Sequence, residues 1–209
     1  MILIKIGGSL LYNSKDLLLA LKEYASKNDK YIVIVPGGGV FANTVREVDK
    51  KLNLSSSLSH KLAIKSMDFV GEIYSELGDI KCYTTLFDLK KNIHNDKISI
   101  ILPSNLLLSI DIAKHSWDIT SDSLSLYIGK LLNVKDIIIA TDVDGIYKNQ
   151  KLLREVKASQ LKEWTSVDIE FPKLLRKFKM TAYIFNGKHP ERIIKFLNGE
   201  NTIFTKVVP

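Results

Sequence analysis

The sequence contains a single cysteine, Cys82, which excludes an internal disulfide framework and a cysteine-built metal site. Prolines number five and tryptophans two in 209 residues, and no low-complexity linker separates one part of the chain from another. No segment approaches the roughly 18 consecutive apolar residues of a membrane span. The start, Met1-Ile2-Leu3-Ile4-Lys5-Ile6-Gly7-Gly8, lacks the apolar run of a secretory signal. A strand is expected there instead, with a cytoplasmic location. A G-x-x-x-x-G-K-[ST] loop is missing, so a P-loop nucleotide site is excluded, and the signature set of the protein kinases is missing too. The formal charge is +7, but the lysines are scattered through positions such as Lys22, Lys50, Lys90, Lys130 and Lys177. They form no block interleaved with aromatics, so a nucleic-acid partner is not expected. A positive field of this size also draws nucleotide phosphates.

What is present is an ordinary globular composition, 45% apolar and 25% charged, in a length that suits one domain or two tightly joined lobes. Continuous apolar runs predict strands over 2–6, 31–35, 80–83, 98–102, 137–140, 182–185 and 202–205. Helical periodicity falls between them. One helix is predicted over 15–26, capped by Ser14. A second runs over 40–52, with Phe41, Thr44, Val45, Val48 and Leu52 on one face. A third, over 58–77, stops at Gly78. A fourth, over 120–132, opens with Thr120, Ser121 and Asp122, and a fifth, over 190–197, starts on Pro190 and stops near Gly199. Strands alternating with helices predict an α/β fold, a three-layer αβα sandwich around a mainly parallel sheet. A lobe boundary is expected within 103–116.

Ligands of a parallel sheet bind beyond the carboxyl ends of its strands, and the polar segments of this chain sit there. Lys5-Ile6-Gly7-Gly8-Ser9 ends the first strand. Its glycines let backbone N–H groups approach a phosphate, and Lys5 offers an ammonium to a transferred group. Without a phosphate the same segment is a plain turn with a surface lysine. Pro36-Gly37-Gly38-Gly39 ends the second strand. Gly37, Gly39 and Ala42 also fit the G-x-G-x-x-A spacing of a dinucleotide turn, which keeps a dinucleotide-dependent oxidoreductase in play. That turn asks for an acid at a strand end about 20 residues on, and Asp68, the nearest, lies in a helical pattern. Asp122 fits either a helix first turn or a carboxylate that holds lysines for phosphoryl transfer. Thr141-Asp142-Val143-Asp144-Gly145-Ile146-Tyr147 reads as a turn or as a nucleotide loop. His60 is a cap, a surface residue or an acceptor contact. Trp117 reads as core, and Trp164 carries no motif.

These four segments, in this order, resemble the amino acid kinase family, and the likeness runs nearly end to end. It implies an amino acid kinase-like domain over 1–209, with 1–110 binding the acceptor and 111–209 the nucleotide. It also implies ATP and Mg2+, the metal held by ATP phosphates and water rather than by a protein-built site. By position, Lys5 binds the transferred phosphoryl group. Gly7, Gly8 and Ser9 hold ATP phosphates, with Thr141, Asp142, Asp144, Gly145 and Tyr147 lining the nucleotide site. Gly37, Gly38, Gly39, His60, Thr120 and Ser121 receive the acceptor, and Asp122 orients the lysines. Lys173 stands where the family has its second lysine, but Glu170-Phe171-Pro172 replaces the G-G-M segment before it. The family's Gly-Thr before the last strand residues is Phe204-Thr205 here.

Segments such as Ser59-His60-Lys61-Leu62-Ala63-Ile64 and Phe185-Asn186-Gly187-Lys188-His189-Pro190 are similar to small archaeal members of the family. That likeness implies a phosphate monoester acceptor bearing an aminomethylfuran. An amino-acid carboxylate and isopentenyl phosphate are the alternatives within the family, and a non-catalytic nucleotide or anion binder of the same fold is an alternative outside kinase chemistry. A homodimer or higher homo-oligomer is implied, with no membrane partner.

Overall fold

The computed structural model describes residues 1–111, 113–161 and 165–209; Trp164 lies outside them. Ten strands, eight α-helices and two short 3-10 helices, Gly8–Asn13 and Ala158–Gln160, occur among the described residues. The strands are β1 (Ile2–Ile6), β2 (Ile32–Pro36), β3 (Cys82–Tyr83), β4 (Ile98–Ile101), β5 (Asp136–Thr141), β6 (Tyr147–Lys148), β7 (Lys151–Leu152), β8 (Glu155–Lys157), β9 (Thr181–Asn186) and β10 (Thr205–Val208). The helices are α1 (Lys15–Lys27), α2 (Gly39–Leu52), α3 (Ser56–Gly78), α4 (Leu86–Asn92), α5 (Ser104–Ile110), α6 (Ser121–Leu131), α7 (Phe171–Phe178) and α8 (Pro190–Leu197).

One eight-stranded sheet has the order β3-β4-β2-β1-β5-β9-β10-β8. Every pair in it is parallel except β9 with β10. β6 and β7 form a separate antiparallel hairpin. Two buried clusters lie on the two faces of the sheet. Leu3, Val33, Val35, Ile137 and Ile139 pack with Leu124, Leu126 and Ile128 of α6 and Leu174 and Leu175 of α7. Ile4, Ile6, Ile32, Ile34 and Ile138 pack with α1, with Val70 and Tyr74 of α3, and with Ile193 of α8. Period-two alternation along β1 therefore puts Lys5 on the face of Leu3, the α6 side.

Several boundaries differ from the sequence expectation, each for a local reason. The last strand is shifted from 202–205 to Thr205–Val208, because Phe204 packs against Phe185 and Phe196 at ring distances of 5.1 and 5.2 Å. α3 ends at Gly78, but the left-handed residue that stops it is Asp79, φ 47°. The hydroxyl of Ser14 donates to Leu11 O at 3.0 Å instead of capping α1. α2 keeps its apolar stripe, yet none of its residues is buried. The short elements α4, α5, α7 and β6 to β8 were not predicted; segments of two to eight residues are too brief to show periodicity.

Candidate active site

β1 is flanked by β2 on one side and β5 on the other. Parallel pairing sends all three chains out at the same edge, so Gly7, Gly37 and Thr141 emerge side by side. Gly37 N donates to Ile6 O at 2.8 Å, Gly7 N to Ala140 O at 2.8 Å, and Gly187 N to Thr141 O at 2.7 Å. The two glycine turns touch each other. A Cβ on Gly8 would overlap the backbone of Gly39, and one on Gly37 would overlap Gly8 N. Only glycine permits this approach, and Gly39 also has φ +56°, a left-handed conformation.

Lys5 and Asp122 meet at this edge, 2.6 Å apart, with both residues less than a tenth exposed. They are 117 residues apart in sequence. The ammonium also lies within 3.4 Å of where a Gly7 Cβ would be, so it stands directly beside the first glycine turn. A buried ion pair with this geometry compensates two charges that would otherwise be costly to bury.

Sequence reasoning did not find Asp168. Its buried carboxylate accepts hydrogen bonds from Thr120 N at 2.8 Å, Thr120 Oγ1 at 2.9 Å, Ser123 N at 3.0 Å, Ser123 Oγ at 2.5 Å and Phe171 N at 2.9 Å. This carboxylate does the capping that Thr120 or Ser121 was expected to do for α6; the Thr120 side chain caps nothing there. It fixes the helix start from which Asp122 reaches Lys5. Burial raises its pKa, and the neighbouring Asp122 charge adds to the rise. The available signal was a lone acid in Val167-Asp168-Ile169, which has no partner visible in sequence.

In the loop after β5, Asp144 Oδ1 accepts from Asn186 Nδ2 at 3.0 Å and from Arg192 at 2.6 Å. The Asn186 hydrogen bond and then Arg192 hold its carboxyl below the usual range. Gly145, φ +149°, lies against Thr205, where a Cβ would collide with the threonine side chain. The Thr205 hydroxyl accepts from Ile146 N at 2.9 Å and donates to Leu153 O at 2.5 Å. The threonine anchors this turn although phenylalanine precedes it. Asp142 and Tyr147 are exposed on the same loop, and Ser9 is exposed beside the first turn. Lys173 is not paired with Asp122: its ammonium faces Glu170 at 2.5 Å and its side chain is 66% exposed.

A groove leads away from the second glycine turn. Its near part is lined by Gly38, Arg46, His60, Trp117, Thr120 and Ser121. It continues into a cavity of about 400 Å3 that shares His60 and Trp117 and adds Asp49, Ser59 and His115. Trp117 is therefore a wall of this cavity, where the sequence suggested core. Its indole N–H donates to Asp49 at 2.7 Å, and the Arg46 guanidinium lies 4.6 Å from its ring. His60 is buried and stacks on His115 at 4.7 Å. Burial, and then the charge of His115, lowers its pKa. Asp68 serves no ribose. It sits on α3 and accepts from Ser104 N at 3.0 Å and from the Ser104 hydroxyl, which opens α5.

No cluster of three or more His, Cys, Asp or Glu that could hold a metal occurs among the described residues, and no described helix is long and apolar enough to cross a membrane.

Comparisons with known proteins agree with this architecture. The sequence model of the amino acid kinase family matches residues 1–186. A [5-(aminomethyl)furan-3-yl]methyl phosphate kinase of Methanocaldococcus jannaschii is 62% identical over 209 residues, covering 99% of this chain and 97% of that protein. A uridylate kinase of Thermofilum pendens is 23% identical, covering 97% of this chain and 95% of that protein. Among solved structures, the uridylate kinase of Archaeoglobus fulgidus superposes with a TM-score of 0.75 at 15% identity, covering all of both chains.

Proposed function

The chain belongs to the amino acid kinase family, and from that premise we propose that it transfers the γ-phosphoryl group of ATP to a phosphate monoester, [5-(aminomethyl)furan-3-yl]methyl phosphate, giving the corresponding diphosphate. The observation that carries the site assignment is the buried Lys5–Asp122 pair beside the paired glycine turns. The identity of the acceptor rests on the 62% identical relative.

In the reaction, an acceptor phosphate oxygen attacks the γ-phosphorus in line as the bond to the β-phosphate oxygen breaks. The loose transition state calls for alignment and positive charge more than for covalent help. A phosphate monoester oxygen is already ionised near neutral pH, its second pKa being about 6, so no general base is required. Lys5 neutralises charge on the transferred group. Asp122 holds that ammonium in place, and Asp168 fixes the α6 start that carries Asp122. The backbone amides of Gly7, Gly8 and Ser9 receive ATP phosphates.

Thr141, Asp142, Asp144, Gly145 and Tyr147 line the rest of the nucleotide, and the Arg192–Asp144 pair fixes that loop. Gly37, Gly38, Gly39, Thr120 and Ser121 receive the acceptor phosphate, with His60 and Arg46 further along the groove. Lys173 adds supporting charge at the phosphates when its side chain leaves Glu170. The lysines and amides of this cradle suit the phosphates of a nucleotide. A bound Mg2+ would be held by those phosphates and water, and would neutralise charge between the β- and γ-oxygens.

This division assigns residues 1–110 to the acceptor and 111–209 to the nucleotide. A cytoplasmic setting, where ATP is made, suits the reaction. A homodimer is the assembly we assign, through the face of α2 and α3 on which Phe41 and the half-exposed Phe69 meet edge-to-face at 5.5 Å. The test is a phosphotransfer assay with Mg-ATP, read by phosphorus NMR for a new diphosphate. The furan phosphate should be the acceptor in preference to UMP, isopentenyl phosphate and glutamate. Transfer to one of those, with none to the furan phosphate, refutes the reading.

A further inference from the structure

The far end of the acceptor groove carries a carboxylate that phosphoryl transfer does not use. Asp49, on α2, lines the cavity of about 400 Å3 with Ser59, His60, His115 and Trp117. Its Oδ2 accepts from Trp117 Nε1 at 2.7 Å, and its Oδ1 has no hydrogen-bond partner among the described residues. The Ser59 hydroxyl, on the same wall, is buried to 2% exposure and also has no partner. Buried polar atoms are almost always hydrogen-bonded, and the cavity that Ser59 lines is the space from which a ligand's polar atom could reach this hydroxyl.

The remaining lining is the rings of His60, His115 and Trp117 with small side chains, and one cation, Lys114, whose ammonium lies 4.0 Å from Asp118. His60 and His115 stack at 4.7 Å with 23° between their planes. His60, its pKa lowered by burial, is neutral at neutral pH and serves as an uncharged aromatic surface. The groove is thus polarised along its length. Its glycine-turn end, with Arg46, suits an anion, its middle suits a planar ring, and its far part offers the Asp49 carboxylate to a cation, the Lys114 ammonium of the same lining being turned to Asp118.

We propose that Asp49 binds the acceptor's primary ammonium and makes the enzyme select amine-bearing arylmethyl phosphates. This rests on the acceptor reading above, and it assigns the part of the substrate remote from the reacting phosphate. A site built around a hydrogen-bonding group discriminates well, because an analogue lacking that group leaves the site's own polar atoms unpaired. A hydrogen bond to a charged group is worth about a tenfold to hundredfold difference in affinity.

The test compares the aminomethyl acceptor with its 5-methyl and N-acetylaminomethyl analogues, in wild type and in Asp49→Asn. Asparagine keeps an oxygen for the Trp117 N–H and removes the charge. Wild type is expected to favour the free amine by about tenfold or more in kcat/KM, chiefly through KM. In Asp49→Asn the gap between free amine and 5-methyl closes to within about threefold, with the thermal midpoint little changed. A variant that keeps the full wild-type preference overturns the assignment of Asp49. Equal use of all three acceptors by wild type overturns ammonium selection and leaves the kinase reading standing, and use of none overturns both.

Discussion

Lys5 and Asp122 are buried together, so neither can be removed alone without consequence. Lys5→Ala strands a carboxylate in a poorly solvated place, at a cost of about 3–5 kcal/mol if the charge is retained. The α6 start that carries Asp122 is held independently by Asp168, and the variant is expected to remain folded. Its kcat should fall about 10²–10³-fold, the usual loss when one preorganised charge partner of a transition state is deleted. Turnover near the wild-type rate in a folded Lys5→Ala protein would remove Lys5 from the mechanism. Lys173→Ala should cost only about tenfold, since an ammonium that is 66% exposed acts through high-dielectric surroundings.

Asp144 offers a test by pH. Asn186 and then Arg192 hold its folded pKa below the ordinary value, so the unfolded chain takes up this proton first as the solution is acidified. The stabilisation is complete above the unfolded pKa, about 3.9, and is lost as pH falls through the folded value. Urea midpoints of wild type and Asp144→Asn should therefore differ by a constant amount from pH 5 to 7 and converge below about pH 4. A gap that widens in acid contradicts the assignment.

Strand tips and helix starts carry the next level of organisation. The two glycine turns occupy space that any side chain would fill. Gly8→Ala must push β1 and β2 apart at their ends, and overpacking of this kind costs about 1–3 kcal/mol. Chemical denaturation should register that loss, with turnover falling further than stability alone explains. The turns were legible in sequence because consecutive glycines after an apolar strand mark the strand's end, whether or not a phosphate binds there. The αβα architecture was legible because strands buried on both faces are continuously apolar. Asp168 was not legible. Its five partners come from Thr120, Ser123 and Phe171, up to 48 residues away, and no local pattern announces a cap delivered from another element. The groove wall was half legible: His60 was singled out, while Asp49 and Arg46 looked like ordinary charges on a helix until α2 and Trp117 were seen together.

Across the full chain, α2 presents a problem that a second copy of the protein would solve. The helix has the amphipathic pattern of a packed element, yet none of its residues is buried, and Val48 and Leu52 are 38% and 67% exposed. Phe69 on α3 is 52% exposed beside it. Apolar area left open on one face is what an isologous dimer covers. The same helix carries Arg46 and Asp49 into the acceptor groove, so a partner that steadies α2 also steadies that wall. Phe69→Lys places a charge in the middle of the face, away from the groove-lining side chains. Sedimentation should show a dimer for wild type and a monomer for the variant. Loss of the partner should raise the acceptor KM roughly severalfold, the direction expected when a binding wall loses its preorganisation, while the KM for ATP, which we propose binds at the tips of β1 and β5, stays near the wild-type value. A monomeric wild type, or a variant that stays dimeric, would separate the exposed face from assembly; equal rises in both KM values would separate it from the acceptor groove.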